Sequence, residues 1–103
     1  QQFSQVTRAK PDSVPAWNEL AAMLISLENY PQALAALDRV RALGAETAGH
    51  NYLRALVLDH TRDLKAAIES YEKFLAASQG KNPNEEFKAR QRILVLRREL
   101  ERK

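Results

Sequence analysis

The stretch that decides the fold is Ala16 to Val40, AWNELAAMLISLENYPQALAALDRV, an apolar segment interrupted once, at Asn29-Tyr30-Pro31. On either side of the interruption small and large apolar residues recur at helical spacing, with Ala21, Ala22, Ala33 and Ala36 among Trp17, Leu20, Leu24 and Leu37. A break of one or two residues between two amphipathic helices makes an antiparallel hairpin. Alanines at the contact let the two helices approach closely while the bulky residues fill the remaining space. A single hairpin cannot bury both of its apolar sides, so the pattern predicts hairpins that stack.

Comparing the chain with itself shows the stacking unit. Ala33 and Ala67, Leu34 and Ile68, Leu37 and Tyr71, and Val40 and Phe74 are each 34 residues apart, as are Ala21, Ala55 and Ala89 in succession. Ser13 pairs with Thr47 and Asn29 with Asp63 at the same offset. These four residue types accept hydrogen bonds from the free amides of a first helical turn, so they mark four helix starts. Pro15 and Pro31 fall in first turns, where a missing N–H does no harm. Gly44 and Gly80 follow apolar stretches and suit the left-handed residue that closes a helix. The predicted map is a partial helix at 1–9, helices at 14–28, 31–43, 48–61 and 64–78, and a terminal helix at 84–102.

The bulk properties agree. The 103 residues include 45% apolar and 28% charged residues, three glycines and four prolines, a composition that favours one small, almost wholly helical domain. Without cysteine there is no disulfide or thiolate site, and the compartment is left open. The longest apolar run, Leu20 to Ile25, is far shorter than the roughly 20 residues of a membrane span.

The residues resemble the tetratricopeptide repeat. Trp17-x-x-Leu20-Ala21-x-x-Leu24, then Ala33-x-x-x-Leu37, follows its W-x-x-L-G-x-x-Y and A-x-x-x-F pattern, and Ala55, Leu58, Ala67-x-x-x-Tyr71 and Phe74 follow it again. Phe3, Val6 and Pro11 fall in register with Leu37, Val40 and Ala45, as the end of a preceding repeat. The resemblance implies an all-α chain of hairpins stacked as a right-handed α-solenoid: the end of a truncated repeat at 1–12, repeats at 13–46 and 47–81, and a capping helix at 82–103. The capping helix is expected to bury Ala89, Ile93, Leu96 and Leu100 and to present charge on its other face. There are departures. Asn51 and Arg54 stand where the first unit has Trp17 and Leu20, so looser packing is expected there, and Gly80 follows Gly44 by 36 residues.

In that family the first helix of each repeat lines a concave groove that holds a partner's peptide or helix. Carried over by register, the groove would display Asn18, Ala22, Ile25, Tyr52, Leu56, Asp59, Glu86 and Arg90. Tyr52 is an aromatic with a polar tip, suited to contact or packing; Trp17 reads as packing. The lysine and asparagine clamp that some members use for a C-terminal carboxylate is absent, since Asn18, Ala22 and Leu53 occupy its places.

No catalytic, metal or cofactor motif emerges. His50 and His60 lie ten residues apart, about 15 Å along a helix and on different faces, and there is no phosphate loop, nucleophile elbow or carboxylate pair. The net charge of +3 comes from the C-terminal segment, where Asn84 to Lys103 holds seven basic and four acidic residues against nine of each before it. The leading expectation is therefore a non-catalytic module that binds a protein segment. One rival is a structural segment that packs within a parent protein or self-associates through Phe3 and Val6. Another is a weak basic surface for RNA or anionic lipid built from Lys88, Arg90, Arg92, Arg97, Arg98, Arg102 and Lys103, against which the interspersed Glu85, Glu86, Glu99 and Glu101 argue for a solvated face.

Overall fold

A computed structural model of the protein describes residues 14–102. Ser13, the partial helix at 1–9 with Phe3 and Val6, and Lys103 lie outside the described residues. Within them the chain is all helix and turn, with five helices: α1 Val14–Ser26, α2 Tyr30–Ala42, α3 Ala48–His60, α4 Leu64–Ser78 and α5 Pro83–Glu101. The chain divides into two compact units, Gln1–Glu46 and Thr47–Lys103.

The first unit is the hairpin foreseen in Ala16–Val40. Helices α1 and α2 pack together across a three-residue link, which forces the chain to reverse. The link turns through Glu28 in the left-handed region, at φ 58°, and the Asn29 amide donates to the Leu24 carbonyl at 2.8 Å to close the α1 end. Ala21, Ala33, Ala36, Leu37 and Val40 are all buried, and Leu24 joins them. Ala22 and Asn18 are exposed, while Trp17, Leu20 and Ile25 are half-buried.

The second unit repeats that turn. Arg62, 34 residues after Glu28, is again left-handed at φ 66°, and the Asp63 amide again reaches back, to the Leu58 carbonyl at 2.9 Å. Ala55 and Ala67 are fully buried, with Tyr71 and Phe74 among the largest enclosed side chains. Burying a side chain of Leu or Phe size is worth about 1.5–3 kcal/mol, so Leu58, Leu64, Ile68, Tyr71, Phe74, Ile93 and Leu96 carry most of the stability of this unit. Asn51 and Arg54 are buried as well, so the two positions where looser packing was expected lie inside rather than at the surface.

Helix α4 ends at Gln79 and Gly80, both left-handed, and a short link leads into α5, whose first turn holds Pro83. The order of the partners fixes the helix directions. Asp59 meets Tyr71 while Tyr52 meets Phe74, so α3 and α4 are antiparallel. Ser78 meets Glu86 while Glu72 meets Arg97, so α4 and α5 are antiparallel too. Asp59 meets Arg92 while Arg62 meets Glu99, so α3 and α5 run parallel.

Two details of α5 differ from the sequence reading. Its buried stripe is Glu86, Ala89, Ile93 and Leu96, and Leu100 is exposed. Its outer face is not purely charged, because Phe87, Leu94 and Val95 are exposed there.

Helix starts divide into two kinds. Thr47 forms a capping box with His50: its hydroxyl accepts from the His50 amide, and its own amide donates to His50 Nδ1 at 2.9 Å. Asn29 and Asp63 occupy cap positions without a side-chain cap bond, Asn29 donating instead to the Gln32 side chain at 3.0 Å.

Candidate functional site

The most developed concavity of the second unit lies between α3 and α5, over α4. It encloses about 680 Å³ and is walled by Tyr52 and Leu56 on one side and Phe87, Lys88 and Gln91 on the other, with Tyr71, Asp59 and Arg92 at its base and His60 and Arg62 at one end. That volume falls in the range of cavities that hold a ligand or a few side chains.

The geometry follows from the helix directions. Because α3 and α5 are parallel and both lean on α4, they meet through long side chains, Asp59 with Arg92 and Arg62 with Glu99. Arg92 closes the base by a bidentate pair with Asp59, Nε to Oδ2 at 2.8 Å and Nη2 to Oδ1 at 2.7 Å. The Tyr71 hydroxyl donates to the same Asp59 Oδ2 at 2.9 Å. One carboxylate thus ties together three helices.

Its ionisation reflects those partners. Burial alone would raise the Asp59 carboxyl, but the hydrogen bonds from Arg92 and Tyr71 and the Arg92 charge outweigh it and hold the group below the usual carboxylate range. Burial and the hydrogen bond to Asp59 push the Tyr71 phenol well up, and the bond to Asp59 raises Arg92 in turn. At neutral pH the base is therefore a fixed triad of carboxylate, guanidinium and neutral phenol. Three hydrogen bonds thus fix the orientation of the Asp59 carboxylate at the base.

Tyr52 packs on one side and lines the cavity on the other. Its ring sits 4.8 Å from that of Phe74 and 6.3 Å from that of Tyr71, the latter edge-on at 66°, so one side belongs to the core. The rest faces the cavity, and burial followed by the nearby Glu85 charge raises its phenol. The wall is thus a rigid aromatic surface with a neutral polar tip.

The eight residues expected to line a groove separate on this geometry. Tyr52, Leu56 and Asp59 come together in the cavity. Glu86 does not reach it: the carboxylate is buried, accepting from the Ser78 hydroxyl and from the Asn82 amide at 3.1 Å, and those two bonds favour its ionised form and lower its pKa. Arg90 is exposed and pairs with Glu86 at 3.7 Å. The side of α5 that faces the cavity holds Phe87, Lys88, Gln91 and Arg92, roughly a third of a turn from the Glu86–Arg90 line. In the first unit, Ala22 lines a small depression with Glu19, Met23 and Ser26, Asn18 is exposed and Ile25 is half-buried.

Sequence reasoning missed Phe87, Gln91 and the pairing role of Arg92. A signal existed for Phe87, since an aromatic on the polar side of a helix is unusual enough to mark a surface. Among the described residues no group of three His, Asp or Glu side chains is placed to hold a metal, and no helix is long and apolar enough to cross a membrane. The chain has no match among protein-family models, curated proteins or solved structures.

Proposed function

We propose that the chain is a non-catalytic protein-interaction module of tetratricopeptide-like design, its hairpins stacked as in an α-solenoid, and that the cavity between α3 and α5 takes a side chain or a short segment of a partner protein. The observation that carries this reading is the cavity itself: an aromatic and aliphatic wall of Tyr52, Leu56 and Phe87 over a base locked by the Asp59–Arg92 pair. A preformed wall lowers the ordering cost of binding, and aromatic side chains are enriched among interaction hot spots. The repeat reading is supported by the paired left-handed turns at Glu28 and Arg62, by the buried alanines at 34-residue spacing, and by the parallel course of α3 and α5 on either side of α4 within the second unit.

The basic-surface alternative loses part of its footing in the ion pairs. Arg92 is committed to Asp59, Arg97 to Glu72 and Arg90 to Glu86, which leaves fewer cations for a phosphate backbone than the sequence count suggests.

Selection of binders from a random peptide library, followed by titration of the enriched peptides against variants, tests the proposal. Tyr52→Ala and Leu56→Glu should each weaken binding at least about tenfold, with little dependence on salt. Peptides that ignore both substitutions but lose binding on charge reversal at Arg98 and Arg102, steeply with salt, would replace the cavity by the basic surface.

A further inference from the structure

The outward face of α5 has an apolar stripe that shares Phe87 with the cavity wall and runs on beyond it, away from the core. Phe87 and Leu94 are seven residues apart, two turns of helix, and Val95 lies beside Leu94. Their relative exposures are 63%, 53% and 40%. Gln91 and Arg98 complete the row, about 16 Å from Phe87 to Arg98. It lies on the side of the helix opposite the buried stripe of Ala89, Ile93 and Leu96. A row at this spacing on a single helix is a ridge of the form that fits the groove of another helix.

The charges around the ridge decide which helix. Lys88, Arg98 and Arg102 are in no ion pair among the described residues, while on the other side Arg90 pairs with the buried Glu86 and Arg97 with the exposed Glu72 of α4. Two carboxylates border the stripe, Glu101 and Glu99, and Glu99 is already paired with Arg62. A second copy of α5 laid against this face would bring arginines and a lysine against the same set, in either direction, and like charges across a helix pair are unfavourable. An acidic partner would instead gain pairs along both edges.

We infer that the outer face of α5 docks an acidic amphipathic helix of another protein segment, its apolar residues against Phe87, Leu94 and Val95 and its carboxylates against Lys88, Arg98 and Arg102. This surface overlaps the cavity wall at Phe87, Lys88 and Gln91, whereas Leu94, Val95, Arg98 and Arg102 lie outside the cavity and carry the distinction between the two.

The test uses three synthetic peptides of about 20 residues, long enough to reach helical conformation on docking. One is an amphipathic sequence with leucines at helical spacing flanked by glutamates, the second replaces its glutamates with lysines, and the third scrambles the first at equal composition. Binding to the whole chain is followed by fluorescence anisotropy at low and physiological salt, with sedimentation velocity on the chain alone. The acidic amphipathic peptide should bind, while the scrambled peptide binds at least about tenfold more weakly and the lysine peptide not at all. Leu94→Glu should lower the affinity at least about tenfold, and Arg98→Glu with Arg102→Glu should lower it and flatten the salt dependence, whereas Tyr52→Ala should leave it unchanged. Leu94 is exposed, so its substitution should leave the thermal melt in place, and Val95→Glu provides a second variant should that melt shift. Equal binding of the scrambled peptide, indifference to Leu94→Glu and Val95→Glu, or concentration-dependent self-association abolished by Leu94→Glu would each overturn the inference, the last in favour of a second copy.

Discussion

The two units start from the same sequence pattern and reach different surfaces. The α1–α2 hairpin and the α3–α4 hairpin share their alanine contacts, their left-handed turn residues and their apolar register. The first presents a small depression beside Ala22, whereas the second, with α5 packed on α4, presents a cavity of about 680 Å³. A hairpin alone is convex on each helix. A wall requires a third helix parallel to the first, and here Asp59 and Arg92 hold that third helix in place at the base.

The comparison can be broken most sharply at the hairpin contacts. Ala33→Leu in the first unit and Ala67→Leu in the second should each cost about 1–3 kcal/mol by overpacking two fully buried positions, measured by urea denaturation. Similar losses are expected, since the two alanines occupy the same place in the register. A neutral result at either would separate the two hairpins.

The Asp59–Arg92 pair should come next, because the first unit has nothing that corresponds to it among its described residues. Arg92→Met should cost about 1 kcal/mol, limited by the solvent exposure of the guanidinium and by the Tyr71 hydroxyl that still serves Asp59. The pair also predicts a pH dependence. The Asp59 carboxyl is lowered in the folded chain, so its contribution is present above its ordinary value of 3.8 and is lost as pH falls below it toward the folded value. Arg92→Met should reduce the steepness of acid unfolding in that window.

The smallest effects should appear at the helix starts. Thr47→Ala removes a capping box and should cost about 1 kcal/mol. Asn29→Ala and Asp63→Ala remove side chains that make no cap bond and should each cost less than about 0.5 kcal/mol by the same denaturation measurement.

What could be read from the chain beforehand depended on how local the cause was. Helix starts, left-handed closures at Gly44 and Gly80, and the alanine contacts follow from residue types at fixed offsets, and the helix bounds fall within two residues of those expected. Tyr52, Leu56 and Asp59, carried over by the repeat register, line one cavity because they lie on the same side of α3. The cavity side of α5 was not foreseen, because that helix carries apolar residues on two sides and the register alone placed Glu86 and Arg90 where Phe87, Lys88 and Gln91 stand. The Asp59–Arg92 pair joins residues 33 positions apart through the packing of α4, which no local pattern encodes. His50, set apart from His60 in the sequence, is half of a helix cap, a role that depends on the Thr47 side chain three residues before it.

The central claim is that the space between α3 and α5 is where this protein meets its partner. The most direct measurement is an NMR titration of the isotopically labelled chain with a library-selected peptide, following the Leu56 methyls, the Tyr52 and Phe87 rings and the Arg92 side-chain Nε–H. Shifts concentrated on those four residues, with the Asp59–Arg92 base intact, are the predicted result. Shifts confined to the outer face at Leu94, Arg98 and Arg102, with Tyr52 and Leu56 unmoved, would contradict it.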